Sequence, residues 1–154
     1  MQSPFNAYLS LVGLETLPQR VSQQVASAQR IAEHLTSAPH VTKVNYSGLG
    51  YMPQYELVGK YFPRGVGQIL SLQVDGSADN VRRIIDGAKL FSYVPNIGDA
   101  RSLIVDPAHI THREVPAEAR IAAGVSDNLI RLSIGLEDVN DLIADLDQAI
   151  AAAY

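Results

Sequence analysis

Arg131 lies in the stretch NLIRLSIG, residues 128–135, where Ile130, Leu132 and Ile134 alternate with Arg131 and Ser133. A period of two puts the apolar triplet on one face of a strand and the arginine on the other. An arginine so placed either runs its stem along the sheet and sends its head to solvent, or offers its planar fork to a carboxylate or phosphate. The spacing leaves both readings open.

A second concentration of polar chemistry is YVPNIGDARSLIVDPAHITHR, residues 93–113. Asn96, Gly98 and Asp99 are turn residues with local backbone reasons to be there. Gly98 would also let a ligand approach the main chain closely, and Asn96 offers both a donor and an acceptor. His109 and His112 are three apart, like half of a metal-ligand pair. Only Asp106 and Glu114 are nearby carboxylates, however, and no helical H-E-x-x-H context exists. The expectation is no metal, with the histidines hydrogen-bonded in a turn.

Other engines of catalysis are missing from the pattern. No serine sits in a G-x-S-x-G elbow, and none of Lys43, Lys60 or Lys89 has a context that would desolvate an amine for Schiff-base work. The glycines of residues 48–67 do not fall as a phosphate-cradling motif between a strand and a helix. With no cysteine there is no thiol nucleophile, disulfide or thiolate zinc site.

Composition sets the scale of what must position these residues. The 154 residues, 47% hydrophobic and 18% charged, suit one folded domain with one core. A net charge of -4, from scattered residues, gives no footprint for nucleic acid or an anionic membrane. No apolar run approaches the roughly 18 residues of a membrane span, and the N-terminal stretch lacks a basic leader, so a cytoplasmic protein is expected.

Ser3-Pro4 reads as a helix cap followed by proline in the first turn. Phe5, Tyr8, Leu9 and Val12 form its stripe, and the helix should kink or restart at Pro18. Val21, Val25, Ala28, Ala32 and Leu35 continue a second amphipathic helix that Pro39 ends. Strands are expected at 41–46, 68–76, 90–94, 102–106 and 128–135, with a long Tyr-rich loop over 47–67. Ser77 should cap a short helix, and Val139, Leu142, Ile143, Leu146 and Ile150 mark a last one, with Glu137, Asp138 and Asp141 at its start. These elements predict an α+β two-layer sandwich, a mainly antiparallel sheet covered by helices.

Taken in order, the segments SPFNAYLSLVGLETLPQR, VNYSGL, KYFPRGVGQILSLQVDG, NIGDARSLIVDPAHITH and AAGVSDNLIRLSIGLEDVNDLIADLDQAI closely resemble one known family. It is the C-terminal third of the Cys/Met-metabolism pyridoxal-phosphate (PLP) enzymes, with NIGDARSL most similar to the O-acetylhomoserine sulfhydrylase branch. The resemblance implies the C-terminal domain of a fold-type I PLP enzyme, with residues 1–38 as helices leading in from a cofactor domain and 39–154 as a substrate-binding lid. It also implies that Arg131 grips the substrate α-carboxylate, with Asn96 facing the same group and the Gly98 turn in support.

In the complete enzyme the implied reaction is O-acetylhomoserine plus sulfide giving homocysteine and acetate, with PLP as cofactor and an amino acid as substrate. The family's Schiff-base lysine and phosphate loop match nothing here. The expectation is thus no catalytic or cofactor-binding residue in this chain, no PLP held by it alone, no turnover alone, and a partner in the missing cofactor domain. A homo-oligomer is possible, as is a stand-alone, non-catalytic interaction module that keeps the lid fold. Asp106 and His109 depart from the family's residues, so no role is carried over to 106–109.

Overall fold

The computed structural model describes all residues 1–154. Ser3 caps helix α1 (Pro4–Glu15), its hydroxyl accepting from the Asn6 N–H at 3.2 Å. The chain breaks at Thr16 and restarts with Pro18 in the first turn of α2 (Leu17–Leu35), where proline's missing N–H costs no helical bond. Strand β1 (Val41–Asn45) follows, then turns, a 3-10 turn at Tyr55–Leu57 and a single helical turn α3 (Val58–Tyr61). The expected long loop therefore contains short helical pieces, although Tyr51, Tyr55, Tyr61 and Phe62 are all exposed.

Strand β2 (Ile69–Val74) leads to α4 (Ala78–Gly87), which starts in a capping box between Ser77 and Asn80. Strands β3 (Ser92–Tyr93) and β4 (Leu103–Val105) flank the Asn96 loop and are shorter than the expected 90–94 and 102–106. Pro95 lacks a ladder donor, and the Val94 N–H is spent on the Ser92 carbonyl, so β3 cannot extend. Helix α5 (Ala117–Ala122), strand β5 (Leu129–Ser133) and helix α6 (Val139–Ala151) complete the chain.

The five strands form one sheet in the order β1-β2-β5-β4-β3. Pairings β1–β2, β2–β5 and β5–β4 are antiparallel and β4–β3 is parallel, so the sheet is mixed but mainly antiparallel. Helices α2, α4 and α6 cover one face. Leu70, Leu72, Val74, Ile104, Ile130, Leu132 and Ile134 meet Ala28, Ile31, Ala32 and Leu35 of α2, Val81 and Ile84 of α4, and Leu142 and Leu146 of α6 in one apolar core. Period two in the strands and 3.6 in the helices thus converge on a single buried layer, giving an α+β two-layer sandwich.

The other face of the sheet lies outside that core, although Leu103, Val105, Leu129 and Ser133 on it are also buried and residues of the 107–125 segment lie over it. Asn45, Ser71, Arg131 and Val105 lie in one row across it, set by the registers Asn45↔Ser71, Ser71↔Arg131 and Val105↔Arg131. The uncovered region is α1, none of whose residues is buried even though Phe5, Tyr8, Leu9, Leu11, Val12 and Leu14 are large and apolar.

Candidate functional site

Arg131 sits in the middle of β5, between Ser71 of β2 and Val105 of β4, on the sheet face opposite the α2–α4–α6 core. Its Nη2 donates to the Asn96 main-chain carbonyl at 3.3 Å. Its Nε is buried and has no hydrogen-bond partner, and neither has the Ser133 hydroxyl two residues along the same strand. A buried donor left unpaired costs about 1–3 kcal/mol, more when charged. A guanidinium carries five donors in a fixed fork, so this one retains capacity for an anionic acceptor.

Arg131 lines a cavity of about 260 Å³ with Asn45, Ser71, Thr111, His112 and Leu129. Asn45 Nδ2 donates to the Ser71 hydroxyl at 3.2 Å, and Thr111 Oγ1 lies 2.8 Å from His112 Nδ1. The polar groups therefore pair with one another along the wall, leaving the arginine as its one cation with spare donors. Thr111 and His112 were not legible as site residues, because the turn that delivers them is closed by Asp106 and not by a sequence motif. Asp106 accepts from the His109 N–H at 3.2 Å, and His112 N–H reaches the Pro107 carbonyl at 2.9 Å.

The expected turn residues fall beside Arg131. Asn96 is exposed and meets the arginine through its carbonyl oxygen rather than its amide. Gly98 has φ +77°, in the left-handed region where glycine bears no Cβ penalty. Asp99 accepts from the Arg101 N–H at 3.0 Å and pairs with its guanidinium at 3.2 Å. The backbone bond first, and the side-chain bond next, hold the Asp99 carboxyl below the usual carboxylate range. Gln24 of α2, almost fully buried, donates to the Asp99 carbonyl at 2.8 Å and pins the loop from the helical side.

The two histidines point their nitrogens to separate partners. His109 Nδ1 lies 2.6 Å from Asp106 Oδ2, whereas His112 contacts Thr111. The largest cavity, about 580 Å³, lies at the C-terminal ends of α2 and α6, where His40 and Tyr154 stack at 3.8 Å. None of Asn96, Gly98 or Arg131 lines it.

Such a sheet, helix-backed on one side and offering an under-paired arginine on the other, has the α+β fold of a domain found in PLP-dependent enzymes. It superposes with a TM-score of 0.90, at 41% identity, on a putative O-acetylhomoserine (thiol)-lyase from Campylobacter jejuni crystallised with a pyridoxyl-lysine monophosphate. That match covers 96% of this chain and 35% of the solved one. A cystathionine gamma lyase from Micromonospora echinospora gives the same TM-score at 39% identity, over 96% of this chain and 38% of that one.

The chain belongs to the Cys/Met metabolism PLP-dependent enzyme family, which it matches over residues 1–151. Among curated relatives, an O-acetyl-L-homoserine sulfhydrylase of Leptospira meyeri is 41% identical over 96% of this chain and 34% of its own length. An O-succinylhomoserine sulfhydrylase of Pseudomonas aeruginosa is 42% identical over 97% of this chain and 37% of its own. The chain spans about a third of the length of the curated relatives it matches.

PLP chemistry defines the family, and the Arg131 cavity does not itself fit the aldehyde of that cofactor. Lys43, Lys60 and Lys89 are exposed and none lines the Arg131 cavity, so that cavity offers no amine for a Schiff base. No helix of the structure is long and apolar enough to cross a membrane.

Proposed function

We propose that this chain is the substrate-binding portion of an O-acylhomoserine sulfhydrylase, a transferase that replaces the acyloxy group of the amino acid with sulfide to give homocysteine. The observation that carries the reading is the Arg131 guanidinium, with Nε buried and unpartnered and Nη2 in one long bond, on the wall of a cavity. An α-carboxylate supplies two acceptor oxygens at the spacing of that fork. Asn96 shares the site by turning its carbonyl to the guanidinium, which fixes the head group from one side, and the Gly98 turn allows that approach.

PLP would be held by residues outside 1–154, and no step of its chemistry is assigned to the residues here. Residues 1–38 would lead from that cofactor-bearing part into the lid of residues 39–154, with the exposed apolar face of α1 buried against it. The relatives' names span both acetyl and succinyl leaving groups, so the shared class is the O-acylhomoserine. The enzyme is expected to act as a soluble cytoplasmic one, and a homo-oligomer fits the uncovered apolar surface.

The test joins this chain to the PLP-bearing part of a related sulfhydrylase and follows homocysteine from O-acetylhomoserine and sulfide. The hybrid should turn over, and Arg131→Ala should lower kcat/KM about 30- to 1,000-fold, mostly through KM, as expected when one partner of a charged hydrogen-bonded pair is removed. Unchanged kcat/KM in Arg131→Ala would remove the carboxylate role. Homocysteine formation by the 154-residue chain alone would contradict the division of labour.

A second reading rests on a different observation. Phe5, Tyr8 and Leu11 are 68%, 61% and 63% exposed on a helix without a buried residue, the kind of surface that marks a contact site. A non-catalytic module that docks a partner through α1 would explain it. Failure of every hybrid to turn over, with retained binding of a partner through α1, would favour that reading.

A further inference from the structure

The Asn96 loop is exposed and polar, yet it must hold one carbonyl against Arg131. Its own sequence supplies only the Asp99–Arg101 pair and the Asn96 N–H to Val94 carbonyl bond, at 3.0 Å. Beside the Gln24 bond to the Asp99 carbonyl, a second outside restraint lies at its far end. Glu137 Oε1 accepts from the Ser102 N–H and Glu137 Oε2 from the Ser102 hydroxyl, both at 2.8 Å. The same hydroxyl accepts from the Gly135 N–H at 2.8 Å, and the Leu136 N–H donates to the Ala100 carbonyl at 2.8 Å.

Glu137 is not occupied by the helix it precedes. Asp138 is the N-cap of α6, its carboxylate accepting from the Asn140 N–H at 2.8 Å, which leaves the neighbouring glutamate free to turn toward Ser102. Ser102 is fully buried, so its bonds are shielded from water and strengthened by the low local dielectric. At Gly135 two backbones approach so closely that a Cβ would overlap the Arg101–Ser102 main chain and the Glu137 carboxylate. Gly135 continues β5, four residues beyond Arg131. The carboxylate therefore ties the loop to the strand that carries the arginine.

We propose that Glu137 is a positioning residue of the carboxylate site, fixing through Ser102 and Gly135 the distance between the Asn96 carbonyl and the Arg131 guanidinium. The inference rests on the reading of Arg131 as a carboxylate receptor, but the position of the loop can be measured without a ligand. When the strut is removed, the loop should swing away from the guanidinium and leave it without its one protein acceptor. The site would then have to be ordered at the moment of binding, with a loss of affinity.

The experiment compares Glu137→Ala and Ser102→Ala, singly and together, with Asp138→Ala, which removes the adjacent helix cap without touching the strut. NMR reads the ligand-free Arg131 Nε–Hε signal, the exchange rates of amides in the Asn96 loop, and the shift produced by titrated L-homoserine. Glu137→Ala and Ser102→Ala should each speed loop exchange about tenfold, move the Nε–Hε signal and weaken L-homoserine about tenfold, with little further change in the double variant. Asp138→Ala should lower the unfolding temperature while leaving affinity within twofold.

Equal affinity losses in Glu137→Ala and Asp138→Ala would reduce Glu137 to a general structural role and overturn the proposal. So would an unmoved Nε–Hε signal and unchanged loop exchange in Glu137→Ala. If wild-type protein gives no response to L-homoserine, the carboxylate reading fails, while the ligand-free signals still decide whether Glu137 sets the loop.

Discussion

Adjacent residues of β5 belong to two different regimes. Ile130 and Leu132 are essentially without solvent exposure and belong to the apolar core shared with α2, α4 and α6, whereas Arg131 between them faces a cavity with its buried nitrogen unpaired. On the helical side the apolar residues form one buried core, and because protein interiors are close-packed a local change there is felt by its neighbours. On the Arg131 side polar groups are held in register by the strands yet are not fully satisfied. The contrast teaches that the sheet is a mount: an apolar core on one face holds the strands in register, so that an incompletely hydrogen-bonded polar arrangement can persist on the other.

Leu132→Ala offers the largest test of that division. Truncating a fully buried leucine should lower the unfolding free energy by about 2–5 kcal/mol, measured by denaturant titration. A loss below about 1 kcal/mol would break the comparison, since the helical face would then not be where stability resides.

An intermediate effect is expected at the sheet edge, where Tyr46 donates its hydroxyl to the Gly67 carbonyl at 2.9 Å. Burial first, with the nearby Glu33 charge adding to it, pushes this phenol from 10.0 up to about 12. A folded value raised above the unfolded one favours the neutral phenol in the fold. Its contribution is complete below about pH 10 and is lost as pH rises toward 12. The unfolding temperature should fall across that window, and the fall should be shallower in Tyr46→Phe; identical slopes would show that Tyr46 is not linked to folding.

The smallest effect on stability belongs to Arg131→Met. It removes an unpaired buried donor and one 3.3 Å bond while keeping most of the stem's apolar volume, so stability should change by less than about 1 kcal/mol in either direction. A loss of several kcal/mol would mean that the arginine holds the fold and is not spare for a ligand.

Local signals on the helical side were legible in the sequence. Ser3-Pro4 and Ser77 stand at the expected caps, Asp138, expected only among the acidic residues at the start of the last helix, is its N-cap, and the alternation of 130–134 places Arg131 opposite the core as expected. The restart at Pro18 follows from proline chemistry alone. Helix α5 was missed because Ala117–Ala122 has no apolar stripe; it is held by short-range bonds from Arg120 to the Val125 carbonyl, at 2.8 Å, and to Asp127, at 2.7 Å, in the turn that follows it. The parallel β3–β4 pairing depends on a two-residue strand, too short to carry a period.

On the Arg131 face the limits were different. Asn96 and Arg131 are 35 residues apart, and only the resemblance to a family brought them together before the fold did. Even so, it is the carbonyl of Asn96 that reaches the arginine, a contact to which the side chain's identity gives no clue. Thr111 and His112 arrive through an Asp106-closed turn, and Ser102 and Glu137 meet across loops, so neither pair has a spacing to recognise.

The carboxylate role of Arg131 is most directly tested by titrating the chain with L-homoserine and, in parallel, with L-homoserine amide, which lacks the carboxylate, while following backbone amides around Arg131 and its Nε–Hε signal. The predicted result is a saturable shift with the acid, none with the amide, and loss of the backbone response in Arg131→Met. Equal responses to acid and amide, or an acid response that persists in Arg131→Met, would contradict it.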